Sequence, residues 1–227
     1  MNSVSNTQSD VSVQLGLFDA IKDLLFVHPV FLLGFIVICG MLILIFKKNE
    51  KNRRIPKIRI WIVSVLLYYY LCVMLTNIVG IPTLSEYTRL TELGESFFNP
   101  NINLIPFSEG FSLGFILNIF LFIPLGFLCP FISKRYQSVK NIFLLGCGLS
   151  FTIEMVQLFT LCRATDIDDL IANVAGALVG YGCFRVIHKL VMAKSRSGSM
   201  RNFEEPHFMR YVPIVIIIIS FILGFFS

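Results

Sequence analysis

Charged residues are scarce in this sequence. Asp, Glu, Lys and Arg make up 15% of its 227 residues, whereas 56% are hydrophobic, and the mean hydropathy is +0.77. Soluble domains carry more charge and fewer apolar residues than this. The composition therefore excludes a soluble globular fold and indicates a membrane protein.

The signals for a disulfide framework and for a cleavable leader are also lacking. The six cysteines are scattered and lie mostly inside apolar segments. Buried cysteine usually behaves as a small hydrophobic residue, so we expect neither disulfides nor a metal site. Residues 1–23 have no basic n-region and no small-residue cleavage motif. Their apolar spacing instead predicts a short amphipathic helix that lies in the membrane interface.

The sequence contains six long apolar segments. Each is long enough to cross a bilayer as a helix, and they fall at 24–46, 60–80, 111–132, 141–161, 169–192 and 211–226. The predicted fold is an all-α, polytopic transmembrane bundle of about six spans. We expect an outer N-terminal segment (1–23), a core of five spans (24–192) with a long outer segment (81–110), a cytoplasmic linker (193–210) and an accessory sixth helix (211–227).

The basic residues predict the orientation. Of the 19 Lys and Arg residues, 16 lie in or beside the connections between spans one and two, three and four, and five and six. Cytoplasmic loops carry such an excess, so we expect these three loops inside and both termini outside. The net charge of +5 is then a topology signal, and a nucleic-acid partner is not expected.

Polar residues converge on one layer near the outer ends of spans three to five. By the rise of ~1.5 Å per helical residue, Asn118, Glu154 and Asn173 each lie roughly 9–12 Å below the outer surface. Because polar groups are costly in hydrocarbon, such a cluster is a functional-site hypothesis. The candidate polar pocket comprises Asn118, Glu154, Gln157, Arg163, Asp166, Asp169 and Asn173.

Helical spacing predicts how these residues pack. Ser150, Glu154 and Gln157 share one face of the fourth span, and Asp166, Asp169 and Asn173 share one face of the fifth. Small residues let helix backbones approach closely, and Gly176 and Gly180 extend the second face inward. We expect the fourth and fifth spans to pack along these faces. Pro124 is expected to kink the third span, with Gly126 leaving space for a neighbour.

Each of these residues also has a structural interpretation. Glu154 must be protonated, paired or in contact with a wet cavity, and Arg163 could pair with Glu154 or Asp169; such a pair could simply lock the helices together. Asn118 and Asn173 could be interhelical hydrogen-bonding groups, and Asp166 and Asp169 could start a helix. Asp168 lies off the polar face and is expected to be solvated. A Ca²⁺ site at these aspartates would lack a glycine-bearing loop, so we assign no metal and no cofactor.

Four motifs in spans three to five resemble the VanZ-like family of bacterial membrane proteins. They are NLIPF (103–107), NIFLFIPLGFL (118–128), SFTIEMVQLF (150–159) and RATDIDDLIANVAGALVGYG (163–182). The resemblance implies a multi-pass protein of the bacterial plasma membrane, and the polar positions named above match those of the family. The founding member is associated with low-level resistance to teicoplanin, a lipid-bearing glycopeptide.

Three functions are compatible with these residues. The first is a non-catalytic factor whose outer polar pocket binds or alters an amphiphile, such as a lipoglycopeptide or a lipid-linked wall precursor. The second is an intramembrane enzyme with Glu154 as general acid or base, although no histidine and no nucleophile–base pair accompany it. Transport is the third, but the polar layer stops halfway through the membrane, whereas a transport pathway should continue across.

Overall fold

In the computed structural model, the described part of the chain contains six helices that are long and apolar enough to span a membrane. The structure describes residues 22–49, 55–96, 98, 102–107, 110, 112–160, 165–194 and 205–227. The elements in chain order are α1 (Phe31–Lys48), α2 (Lys57–Val73), α3 (Leu84–Glu92), β1 (Ile102–Asn103), α4 (Leu113–Ile132), α5 (Val139–Gln157), β2 (Thr165–Asp166), α6 (Ile167–Lys194) and α7 (Val212–Phe225). A π-helical turn (Met74–Ile78) continues α2, and short 3₁₀ turns (Lys134–Gln137 and His207–Tyr211) precede α5 and α7.

The predicted fold class is confirmed. All of the α-helices except α3 are long and apolar enough to span a bilayer, when the turns that extend α2 and α7 are included. The first span begins at Phe31, later than predicted, because Pro29 lies in a turn just before it. Of the N-terminal segment expected to form an interfacial helix, residues 1–21 lie outside the described residues. So does most of the predicted linker.

The surface helix α3 follows from its sequence. Thr83 is the N-cap, and its hydroxyl accepts a hydrogen bond from the Glu86 N–H at 3.3 Å. This is half of the capping box that Thr83 and Glu86 predict. Gly94, beyond the last turn, has a φ of +70°, which glycine adopts without strain. The outer segment therefore contains a short helix between the second and third spans.

The closest helix pair is α4 and α6, where three glycines meet backbone. A Cβ at Gly126 would strike the carbonyl of Ala177, and Cβ atoms at Gly176 and Gly180 would strike carbonyls of α4, at Ile119 and Ile123. The sequence interpretation was wrong about this face, because the Gly176–Gly180 face contacts the third span and not the fourth. On α5, Gly146 lies opposite the Ala177 side chain.

Helices α1, α2 and α7 form the other side of the bundle. Tyr68 of α2 donates a hydrogen bond to the Phe31 carbonyl of α1 at 2.7 Å. Tyr70 donates to the Leu121 carbonyl of α4 at 2.6 Å. These phenols donate to helix carbonyls inside the bundle and join α2 to α1 and to α4.

The two ends of the bundle differ in charge. At one end, Tyr136 donates to the Arg210 carbonyl at 3.1 Å, and Tyr181 donates to the Gln137 carbonyl at 2.7 Å. Burial raises the pKa of Tyr136 to about 12, so its hydroxyl keeps its proton and remains a donor. Among the described residues, Lys134, Arg135 and Arg210 lie together at this end. Helix α5 starts here and runs to the opposite end, where β1 and β2 lie.

Candidate functional site

A two-residue parallel bridge brings the candidate site together. β1 pairs with β2 so that Ile102 lies opposite Thr165 and Asn103 opposite Asp166. β2 directly precedes α6, so the bridge attaches the outer segment to the start of the fifth span. The Asn103 amide donates to the Asp166 carboxylate at 3.3 Å. This bridge was not predicted from the sequence.

Glu154 is the buried acceptor beneath the bridge. Only 3% of its surface is exposed. Its Oε2 accepts the Asp166 N–H at 3.1 Å, and its backbone carbonyl accepts the Thr165 hydroxyl at 3.0 Å. The carboxylates of Asp169 and Asp166 interact electrostatically with it. Glu154 therefore joins the end of α5 to the start of α6.

Asp166 is the N-cap of α6. Its Oδ1 accepts the Asp168 N–H at 2.9 Å, which is the bond that an N-cap side chain makes to the second residue of a helix. A carboxylate at this position also complements the positive end of the helix dipole. The structural alternative for Asp166 is thus supported, while its other oxygen contacts Asn103.

Asp168, which was expected to be solvated, keeps part of its surface exposed and also binds a backbone group. It is half-buried, and both of its carboxylate oxygens accept the Phe107 N–H at 3.0 Å. Phe107 has a φ of 57°, an unusual value for a bulky side chain. The contact fixes a strained residue of the outer segment to the first turn of α6. Sequence spacing could not reveal it because the partner is a backbone group in an irregular segment.

Asn173 and Gln157 are buried amides on neighbouring helices. Each is 4% exposed. Asn173 Nδ2 donates to the fully buried Ser150 hydroxyl at 3.0 Å, which joins α6 to α5. Asn173 Oδ1 and Gln157 Oε1 are buried and have no hydrogen-bond partner among the described residues. An unsatisfied buried acceptor is uncommon and costs roughly 1–3 kcal/mol.

The remaining predicted residues are placed differently. Asn118 is half-buried on α4, next to the Ile119 carbonyl that meets Gly176, and within the described chain its side chain makes no hydrogen bond. Asp169 is half-buried, and its carboxylate interacts electrostatically with Glu154. Arg163 lies outside the described residues, as does its expected pairing. Pro124 lies within the unbroken helix α4, so the kink stays a prediction.

The aspartates are arranged around backbone and amide donors. Oxygens of Asp166 and Asp168 accept hydrogen bonds from N–H groups of Asn103, Phe107 and the first turn of α6. In the part of the chain that the structure describes, no group of three His, Cys, Asp or Glu side chains is placed to hold a metal ion.

Comparison with known proteins places these elements in a family. The sequence model of VanZ/LLP1 matches residues 66–188, more than half of the chain. The chain belongs to the VanZ/LLP1 family. The matched region runs from the middle of α2 to near the end of α6, so it contains every residue of the candidate site, whereas α1 and α7 lie outside it. No curated protein and no solved structure has a significant match to the chain.

Proposed function

We propose that this VanZ/LLP1-family protein is a non-catalytic factor of the bacterial plasma membrane that confers low-level resistance to teicoplanin. Its outward-facing polar pocket would bind or alter an amphiphile of the outer leaflet. The ligand would be a lipoglycopeptide or a lipid-linked wall precursor. The observation that carries the proposal is that two buried amide oxygens, Gln157 Oε1 and Asn173 Oδ1, find no hydrogen-bond donor among the described residues.

These oxygens favour a ligand that donates hydrogen bonds. A buried carbonyl oxygen without a donor is destabilising unless something else supplies the donor. Lipoglycopeptides and lipid-linked wall precursors carry amide N–H and hydroxyl groups beside an apolar chain. Such a molecule can place donors at the polar layer while its chain stays in the surrounding hydrocarbon.

The outer segment would form the rim of the pocket. Asn103 and Phe107 are held against the start of α6 by Asp166 and Asp168. The segment is thereby linked to Glu154 through Asp166, whose N–H donates to the Glu154 carboxylate. Arg163, in the short connection that precedes β2, is proposed to meet a phosphate or carboxylate of the ligand, because guanidinium binds both in a bidentate manner.

Charge supports the outward direction of the site. The polar site and the basic loops lie at opposite ends of α5 and α6. Basic loops are retained on the cytoplasmic side, so the site would open outward, where teicoplanin and wall precursors are found. By the same rule both chain termini would lie outside.

An enzyme acting on a lipid-linked envelope component is the alternative, and the geometry favours it less. Glu154 would be the general acid or base. Its Oε2 already accepts a backbone N–H, and so do oxygens of Asp166 and Asp168. His188 contacts the Phe184 ring, toward the basic end of α6, far from Glu154.

Susceptibility of a sensitive Gram-positive host tests the proposal. Cells expressing the wild-type protein should survive teicoplanin better than the empty host, with little change for vancomycin. Gln157→Leu removes an unsatisfied acceptor, so it should leave stability unchanged or raise it, yet abolish protection. Arg163→Ala and Glu154→Gln should also reduce protection at matched membrane levels.

Ser64→Ala is the matched control. Ser64 is fully buried on α2, and its hydroxyl has no partner within the described chain, so the change also deletes an unsatisfied polar atom, but away from the site. It should keep full protection. Protection by Gln157→Leu or by the Arg163→Ala, Glu154→Gln double variant equal to that of wild type would refute the pocket. A changed mass of an envelope lipid, abolished by Glu154→Gln, would favour the enzyme instead.

A further inference from the structure

A groove separates the fourth and sixth spans on the side of the bundle that faces the bilayer. Helix α7 packs against α1 and α2, and α5 packs against α6. Between α5 and α7 the side chains leave a groove of about 500 Å³. This volume lies within the range of small-molecule sites. The inference drawn from this groove does not depend on the proposed function.

The walls of the groove are apolar and open to lipid. Leu144 of α5 and Ile218 of α7 are each more than half exposed. Gly148 adds no side chain, and a Cβ placed there would meet nothing within 4 Å. From Asn141 to Thr152 the lining of α5 runs for roughly 16 Å, which is about half of the ~30 Å hydrocarbon thickness. The groove thus matches the acyl region of one leaflet.

The basic end of the groove continues into a second cavity. Arg135 lines both the groove and this cavity of about 290 Å³, which Lys134, Arg210 and Glu205 also line. Three basic side chains therefore surround one carboxylate. Glu205 Oε2 accepts the Lys134 N–H at 2.9 Å. The cavity consequently keeps an excess of positive charge at the level of the lipid headgroups.

We propose that this groove binds one anionic phospholipid of the leaflet at the basic end. Its phosphate lies against Arg135 and Arg210, and one acyl chain lies along Leu144, Gly148 and Ile218. Basic cavities between membrane helices suit acidic headgroups. A second copy of the chain with the same orientation would bring its own basic loops to this level, so repulsion disfavours it as the occupant.

Retained lipids can be counted by native mass spectrometry. The full-length protein is reconstituted with equal amounts of phosphatidylglycerol and phosphatidylcholine and then released from the membrane mimic. Wild type should retain one phosphatidylglycerol, in at least fivefold preference. Arg135→Gln should reduce this preference toward unity, and Gly148→Leu, which fills the groove, should reduce retention of both lipids.

Matched variants control for charge and for glycine replacement. Lys47→Gln removes a basic residue at the end of α1, and Gly182→Leu replaces a helical glycine that also has nothing within 4 Å of its Cβ position. Both should behave as wild type. Equal retention of the two lipids by wild type, or retention unchanged in Arg135→Gln, overturns the proposal. A dimer that Gly148→Leu dissociates would assign the groove to a second copy. If Gly148→Leu fails to accumulate, Arg135→Gln still decides.

Discussion

Helix α6 contacts its two main neighbours in different ways. Against α4 it presents Gly176 and Gly180, which lie directly on backbone carbonyls. Toward the outer end of α5 it presents Asn173 and the N-cap Asp166, which meet polar groups of that helix. The first contact leaves no space for a side chain at the glycines, whereas the second is made by hydrogen bonds at the Glu154 end of α5.

The difference separates the fold from the site. Glycine contacts of this kind hold membrane helices together through close packing, and they tolerate no added atoms. Hydrogen bonds between membrane helices contribute only about 0.6 kcal/mol on average. Polar side chains at such a contact can therefore serve ligand binding at little cost in stability. We therefore expect changes on the α4 side to unfold the bundle and changes on the α5 side to act mainly on ligand binding.

The largest effect is expected from Gly176→Leu. The new Cβ would overlap the Ile119 carbonyl, so α4 and α6 must separate, at a cost of at least the ~1–3 kcal/mol of an overpacked core. The loss of stability is measured by heating the protein in detergent and recording the temperature at which its monodisperse size-exclusion peak disappears. Gly182→Leu on the same helix should unfold near the wild-type temperature. Similar unfolding temperatures for the two variants would show that the glycine contact does not hold the bundle.

The next largest effect is expected at Glu154, and two substitutions test which of its atoms stabilises the bridge. Glu154→Leu leaves the Asp166 N–H without its acceptor, which should cost about 1–3 kcal/mol. Glu154→Gln keeps a carbonyl oxygen at that place and should cost less. Amide hydrogen exchange of the peptide that contains β2 reports the difference directly. Faster exchange in Glu154→Leu only is expected, whereas equal protection in both variants would mean that Glu154 does not hold the bridge.

The smallest effect is expected for the Ser150–Asn173 hydrogen bond. A double-mutant cycle with Ser150→Ala and Asn173→Ala should give a coupling free energy near ~0.6 kcal/mol, the average for such bonds in membranes. Unfolding free energies of the four proteins supply the cycle. A coupling free energy larger than the loss of stability caused by Gly176→Leu would show that the hydrogen-bonded contact matters more than the glycine contact.

The spans were predictable because their signal is local. Hydropathy and length suffice to find six helices, and a cap such as Thr83 marks the start of α3 within four residues. The glycine face of α6 was also visible from its spacing. Its partner was not, because α4 and α5 both offer small residues, Gly126 and Gly146, and the sequence does not say which helix lies opposite.

The candidate site was predictable in composition and less so in arrangement. The cost of polar groups inside a membrane pointed to Glu154, Gln157 and Asn173, and all three are buried. Gln157 and Asn173 each keep one oxygen without a hydrogen-bond partner among the described residues. The contacts of Asn103 and Asp168 were missed. In each contact the two residues are more than 60 positions apart along the chain, and no periodicity indicates a pairing over that separation.

The bridge between Asn103 and Asp166 has a consequence for biogenesis. The two residues are separated by 63 positions, and two complete spans are synthesised between them. At a translation rate of ~5–20 residues per second, β2 is synthesised roughly 3 to 13 s after β1. During that interval Asn103 has no Asp166 to bind. The bridge between β1 and β2 can therefore form only after the start of the fifth span has been made.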